Sequence, residues 1–219
     1  MTSGAIGAGA LAGESLRVFF ERDAIAVARD LLGCHLSVDG VGGRITETEA
    51  YFPDDEASHS FRGPTKRNGA MYGRPGNAYI YRIYGMYWCL NFVCHPGSAV
   101  LIRALEPETG IPLMMERRGT DMLTALCSGP GKLCLALGID IQINDRLLDR
   151  PPYALTPSAP VPIVSGKRIG ITKNADVPWR FRHPGIALSQ QTVSLTIPSR
   201  HCGRRRARPS AYAAAARAE

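Results

Sequence analysis

Apolar and polar positions recur along this chain with two different periods, and the changes between them mark out its elements. After Asp23, apolar residues fall at Ala24, Ile25, Val27, Ala28, Leu31 and Leu32, which is one face of an α-helix. Asp23 offers an oxygen to the first unpaired amides and Gly33 tolerates a left-handed turn at the end, so the pattern predicts a short amphipathic helix. From Cys34 the period shortens to two. Cys34–Asp39 and Arg44–Tyr51, separated by Gly40–Gly43, read as a β-hairpin. Its second strand places Ile45, Glu47, Glu49 and Tyr51 on one face and Thr46, Thr48 and Ala50 on the other. Two glutamates on one face are odd for a strand with a buried side.

Pro53 to Gly76 is rich in Gly, Pro, Asn and charge, and a loop of that length inside a domain is usually functional. Three strands follow, Ala78–Ile83, Trp88–Cys94 and Ala99–Ala104, broken at Gly85 and at His95–Gly97. Ile111–Arg118 and Lys132–Leu137 read as helices. Gly129-Pro130-Gly131 precedes the second, where backbone N–H groups face an anion readily. Pro151–Pro162 reads as a surface excursion, and Lys167–Thr172 and Thr192–Ile197 as late strands. No segment repeats. The expected fold is α+β: a single compact domain with a mostly antiparallel sheet and flanking helices. Within the 219 residues, 1–15 read as a disordered leader, 16–199 as the domain, and 200–219 as a disordered basic tail.

Composition narrows the function. Hydrophobic residues make up 45% of the chain, yet no apolar run is long enough to cross a membrane as a helix. The start lacks the basic region of a secretion signal, so a cytoplasmic or nucleoid location is expected. Most of the formal net charge of +7 comes from six arginines after Ser199, so any anion-binding patch on the domain must arise by local segregation. Such segregation exists. From Ala57 to Leu105 there is no Asp or Glu, while Arg62, Lys66, Arg67, Arg74, Arg82 and Arg103 alternate with Phe61, six aromatic residues between Tyr72 and Trp88, and Phe92. Basic and aromatic residues mixed this way suit a phosphate backbone and stacked bases, although a packed sheet core uses tyrosines too. The six cysteines form no C-x-x-C pair and show no zinc spacing, so they read as reduced thiols.

Glu49 ends its strand beside the long loop and this basic window. A carboxylate facing a phosphate groove needs a cationic partner or a task, and Arg103, set among Val100, Leu101 and Ile102, is the candidate partner. Together they would hold a water for attack on an electrophilic carbon, or form a plain salt bridge. Two other classes stay open on these residues. Glu47, Glu49, Asp54, Asp55 and Glu56 would suit a Mg²⁺-dependent nuclease, and the aromatic window a non-catalytic single-strand binder.

Several blocks together resemble the alkyladenine (3-methyladenine) DNA glycosylase family. They are Ile45-Thr46-Glu47-Thr48-Glu49-Ala50-Tyr51, Glu56-Ala57-Ser58-His59-Ser60, the stretch from Arg67 and Asn68 to Met71, Tyr79 through Asn91, Val100 through Pro107, and Cys127 through Leu133. They stand in the family's order and span most of the chain from Asp23 to Ile197. The resemblance implies a base-excision repair enzyme that flips alkylated or deaminated purines out of double-stranded DNA and cuts the N-glycosidic bond with water, leaving the strand intact. It implies Glu49 as the carboxylate that activates the water, Arg103 as its helper, and the backbone carbonyl of Ile169 as a further contact to the same water. Tyr51, His59 and Tyr81 become walls for the flipped base, Asn91 a screen for purine substituents, and Tyr84 the side chain pushed into the duplex. Arg67, Arg74 and Lys132 are expected at the DNA backbone. No cofactor, metal ion or obligate protein partner is implied, and the enzyme is expected to act as a monomer.

Overall fold

In a computed structural model, residues 9–184 are described; Thr192–Ile197, the arginine tail and the first eight residues of the expected leader lie outside them. The elements in chain order are α1 (Gly13–Phe20), α2 (Ala24–Asp30), β1 (His35–Val38), β2 (Val41–Tyr51), β3 (Ala78–Ile83), β4 (Tyr87–Val93), β5 (Ala99–Thr109), α3 (Ile111–Arg118), α4 (Leu123–Leu126), α5 (Pro130–Leu137), β6 (Tyr153–Thr156), β7 (Val164–Gly166) and β8 (Arg180–Arg182). The strands form one antiparallel sheet ordered β3-β4-β5-β2-β1-β6, with β8 pairing the far end of β2 and β7 pairing β8. The fold is α+β, as the periodicity predicts.

The first predicted helix forms as its caps require. Asp23 accepts hydrogen bonds from the Ile25 and Ala26 amides at 2.9 and 3.2 Å, and Ala24, Val27 and Ala28 face the core. The β1–β2 turn is tighter than Gly40–Gly43. Asp39 and Gly40 both take positive φ, a two-residue hairpin turn that frees Val41–Gly43 for pairing. Gly43 must be glycine there, because a Cβ would stand 1.9 Å from the Glu106 carbonyl oxygen.

Other expectations change. Leu11 is buried and its amide donates to the Leu155 carbonyl at 2.8 Å, so the described part of the leader packs on β6 and runs into α1. Leu16, Phe19 and Phe20 give α1 a buried face, and Phe20 meets Phe92 edge-on at 5.8 Å. The Pro-rich stretch contains β6, paired with β1. Lys167–Thr172 is not a strand: β7 ends at Gly166, Gly170 adopts φ +80°, and the Arg168 side chain turns inward instead of presenting a ladder edge. The strict alternation along β2 also fails at its start. Register shifts around Thr46 and Arg103 throw Ile45 into the main core, while Glu47, Glu49 and Tyr51 stay on the opposite face.

Those bulges separate the two faces of the sheet. Ala50, Ile80, Leu90, Phe92, Val100 and Ile102 join the main core beneath α2 and α5. On the other face stand Glu49 and Tyr51 from β2, Tyr79 and Tyr81 from β3, Cys89 and Asn91 from β4, and Leu101 and Arg103 from β5. The long loop with its 3-10 turn at Gly69–Tyr72 packs beside Tyr79.

Candidate active site

Adjacent strands presenting every second residue to one face gather the charged and aromatic groups. At the centre Glu49 is fully buried. One carboxylate oxygen accepts the Ile169 N–H at 2.9 Å; the other accepts the Tyr51 hydroxyl at 2.8 Å and faces Arg103 at 3.2 Å. Arg103 also reaches Glu47 at 3.2 Å, and Arg180 of β8 reaches the same Glu47 oxygen at 2.9 Å. Two buried carboxylates thus share two guanidiniums, which is what lets β2 carry them inside. Burial pushes the Glu49 carboxyl above the usual carboxylate range, opposed by Arg103, the Ile169 amide and the Tyr51 hydroxyl. Burial, followed by the nearby Glu49, likewise pushes the Tyr51 phenol well up, so it stays a neutral donor.

The rings stand beside this cluster. His59 lies 4.3 Å from Tyr81 at a steep angle, and its Nδ1 shares a 2.8 Å hydrogen bond with the Tyr79 hydroxyl. Burial and the charge of Arg67 lower the His59 pKa. Asn91 is buried opposite Tyr79 and donates its amide to the Tyr79 carbonyl at 3.0 Å. Tyr51, His59, Tyr81 and Asn91 border one concavity of about 290 Å³. A second, of about 650 Å³, shares Tyr51, Tyr81 and Tyr84 with it and is closed by Arg103, Ile169 and Lys132. Volumes in this range suit a small ligand. Glu49 does not reach either wall, but Tyr51, Arg103 and Ile169, the three groups that hold it, all line the larger cavity.

At the mouth, Tyr84 sits at the tip of the β3–β4 hairpin, three-quarters exposed, with φ +52° followed by Gly85 at +69°. A bulky aromatic residue in that region is strained, and its ring is aimed into solvent beside exposed Met86 and Tyr87. Lys132, in the first turn of α5, donates to Ser128 at 3.2 Å and borders the larger cavity with Gly129-Pro130-Gly131. Arg67 borders the smaller cavity and donates to the Arg82 carbonyl at 3.3 Å. Arg74 stands apart, in a separate hollow with Arg146 and Arg150.

Sequence reasoning left out several groups. Arg180 holds Glu47, Arg118 borders the larger cavity, and Arg168 binds Asp55 in a buried ion pair behind Tyr51. Nothing in their local patterns marks them, since β8 is three residues long and Arg168 lies in an irregular segment. The acidic cluster does not converge: Asp55 is committed to Arg168 and Glu49 to Arg103. Among the described residues no group of three His, Cys, Asp or Glu is arranged for a metal ion. Five of the six cysteines lie among the described residues, all buried and free.

Comparison with known proteins identifies the family. The model of the methylpurine-DNA glycosylase family matches residues 18–186. A protein of Rhizobium etli is 90% identical over 83% of this chain and 91% of its own length. One of Nitrosospira multiformis is 57% identical over 74% of this chain and 86% of its own, and one of Agrobacterium fabrum 55% identical over 77% and 88%. Each carries the name "Putative 3-methyladenine DNA glycosylase". With a family match over most of its length and relatives this similar, the chain belongs to the methylpurine-DNA glycosylase family.

Proposed function

We propose that this glycosylase rotates an alkylated or deaminated purine out of duplex DNA and that Glu49 directs a water onto the exposed sugar. The observation that carries the reading is the shared environment of Glu49: its three holding groups form part of the cavity that Tyr81 and Tyr84 also border. A flipped base stacks between Tyr51 on one side and His59 and Tyr81 on the other, which repays part of the cost of leaving the duplex. Tyr84 fills the space the base leaves. Electron-poor alkylated bases gain further from the ring faces.

The bond to the base breaks first, and the water oxygen then bonds to the sugar C1′. The base takes the bonding electrons, and Glu49 accepts the water's proton. A cationic base such as 3-methyladenine departs neutral, whereas a deaminated purine departs as an anion that takes a proton from solvent. Between the two events the sugar carries positive charge, which the Glu49 carboxylate opposes. A water that reaches Glu49 exchanges with the Tyr51 hydroxyl, its neutral donor, while Arg103 and the Ile169 amide keep the carboxylate aimed. Because burial raises the Glu49 pKa, activity falls as pH drops through a value above the ordinary carboxylate range. Water rather than an amine is the nucleophile in this reading: the groups that hold Glu49 are Tyr51, Arg103 and the Ile169 amide, with no lysine among them. In this reading one copy of the chain suffices, and the enzyme acts as a monomer.

The test is single-turnover release of 3-methyladenine and of hypoxanthine from duplexes, in EDTA, with borohydride present in a parallel reaction. Base release that survives EDTA, with no covalent adduct and no strand break, is expected. Base release by Glu49→Gln at the wild-type rate, or a trapped adduct, overturns the reading.

A further inference from the structure

We infer that Arg168 and Asp55 form a positioning pair that sets the Ile169 amide on Glu49 and gives Tyr51 a fixed backing. The inference rests on the role of Glu49 proposed above.

Both side chains are wholly buried, and the two terminal guanidinium nitrogens of Arg168 donate to the two oxygens of Asp55, one at 3.0 Å. A buried pair of this kind gains little stability over apolar packing, so what it places is the more informative question. Arg168 donates to the Ala50 carbonyl at 3.1 Å and to the Asn174 carbonyl at 3.2 Å. Asn174 in turn donates to Asp55 at 3.0 Å. Ala50 lies between Glu49 and Tyr51 in sequence, and Ile169 follows Arg168. One guanidinium therefore ties strand β2 to the irregular segment at the two points that flank the Glu49 carboxylate. The same guanidinium lies 4.6 Å from the centre of the Tyr51 ring and 5.2 Å from that of Trp179, a cation held between two aromatic faces.

The segment needs such a fastening because it has no ladder to hold it. Gly170 turns it at φ +80°, and its other ion pairs, Lys167 with Asp176 and Lys173 with Glu56, are exposed and hold weakly. A lysine at 168 keeps the charge but cannot fork onto Asp55 and both carbonyls.

The consequence is a defined pH signature. Glu49 must be ionised to act, and the Ile169 N–H favours the ionised form. The other groups facing Glu49 are Arg103 from β5, Glu47 and Tyr51 from β2, and Cys89 from β4, with Arg180 of β8 held on Glu47; none belongs to the pair. Releasing the segment removes one stabilising donor, so the acid limb of the rate profile moves to higher pH.

The experiment compares Arg168→Lys, Asp55→Asn and, as a control on the exposed pair, Lys173→Ala. Single-turnover release is followed against pH, with affinity for an abasic-site duplex and the melting temperature measured alongside. Arg168→Lys and Asp55→Asn are expected to slow release about 10- to 100-fold and raise the acid limb, with abasic-site affinity kept and Lys173→Ala unchanged. If a single variant does not fold, the neutral double variant Asp55→Asn with Arg168→Gln is read in its place. A lowered melting temperature with an unmoved acid limb overturns the inference and leaves a structural pair, as does wild-type release. Glu49→Gln run in parallel separates the two proposals. If it stays active, the role of Glu49 fails; if it is inactive while the acid limb of Arg168→Lys stays put, only the positioning role fails.

Discussion

The Glu49 cluster, through the groups that hold it, and the tip of the β3–β4 hairpin border one cavity and are built on opposite terms. Glu47, Glu49 and Arg103 are almost wholly buried, with every carboxylate matched to a guanidinium, an amide or a hydroxyl. Tyr84, Met86 and Tyr87 are exposed apolar groups, and Tyr84 is held in a strained backbone state. In the proposed reading the difference separates two tasks. Opposing charge on a sugar needs an anion already fixed and dry, so that nothing has to reorganise during the reaction. Entering a base stack needs apolar surface that is waiting outside, and that costs stability in the free protein.

The sharpest break of this comparison is Glu49→Gln. It keeps the shape of the cluster and removes its charge, and base release should fall by about 10²- to 10⁴-fold, a span typical of losing a general base. Binding to an abasic-site duplex should survive, because the hairpin is untouched. Loss of binding with loss of release would mean that the two regions are not separable. Arg103→Met comes next. It leaves two buried carboxylates short of a cation, and thermal or urea unfolding should show a loss of about 3–5 kcal/mol. A variant as stable as the wild type would show that Arg180 alone can balance the cluster.

The hairpin should respond in the reverse sense. Tyr84→Gly removes the ring and relieves the positive φ, so stability should hold or rise by about 1 kcal/mol while release slows. The slowing should be greatest for well-paired, well-stacked lesions and least for mispaired ones, which cost less to extrude. An equal loss in every context would count against Tyr84 as the wedge. The smallest effect is expected at Asn91, which borders the smaller cavity. Its amide nitrogen is committed to the Tyr79 carbonyl, so what it controls on the cavity side is space and the remaining oxygen. Asn91→Ser should raise release of guanine-type bases relative to hypoxanthine by about 1–3 kcal/mol of discrimination at most, with 3-methyladenine changing less. An unchanged ratio in single-turnover assays would return Asn91 to a purely structural role.

Much of this site was readable in one dimension because strands write their faces with a period of two. Glu49 and Tyr51, Tyr79 and Tyr81, and Leu101 and Arg103 are i, i+2 pairs, and the structure puts each pair on the cavity face. The same rule misplaced Ile45, because a bulge carries no mark in the pattern of apolar and polar residues. The rule also made Lys167–Thr172 a strand. Its alternation is real, but Arg168 finds Asp55 more than a hundred residues away and the segment turns inward.

The sequence alone determined which elements form where local chemistry is decisive: α2 from its Asp23 cap and apolar face, the β1–β2 hairpin, and the three strands β3 to β5. It also determined which residue types were available to the chemistry, since an acid-free aromatic window following a run of five carboxylates from Glu47 to Glu56 is a property of the sequence. Only the tertiary structure decided that Glu49 would be dry, that Arg103 and Arg180 would share the load of two carboxylates, and that Ile169 would offer its N–H. These depend on contacts between residues 54 to 133 positions apart, and the free energy of a buried charge depends on everything that surrounds it.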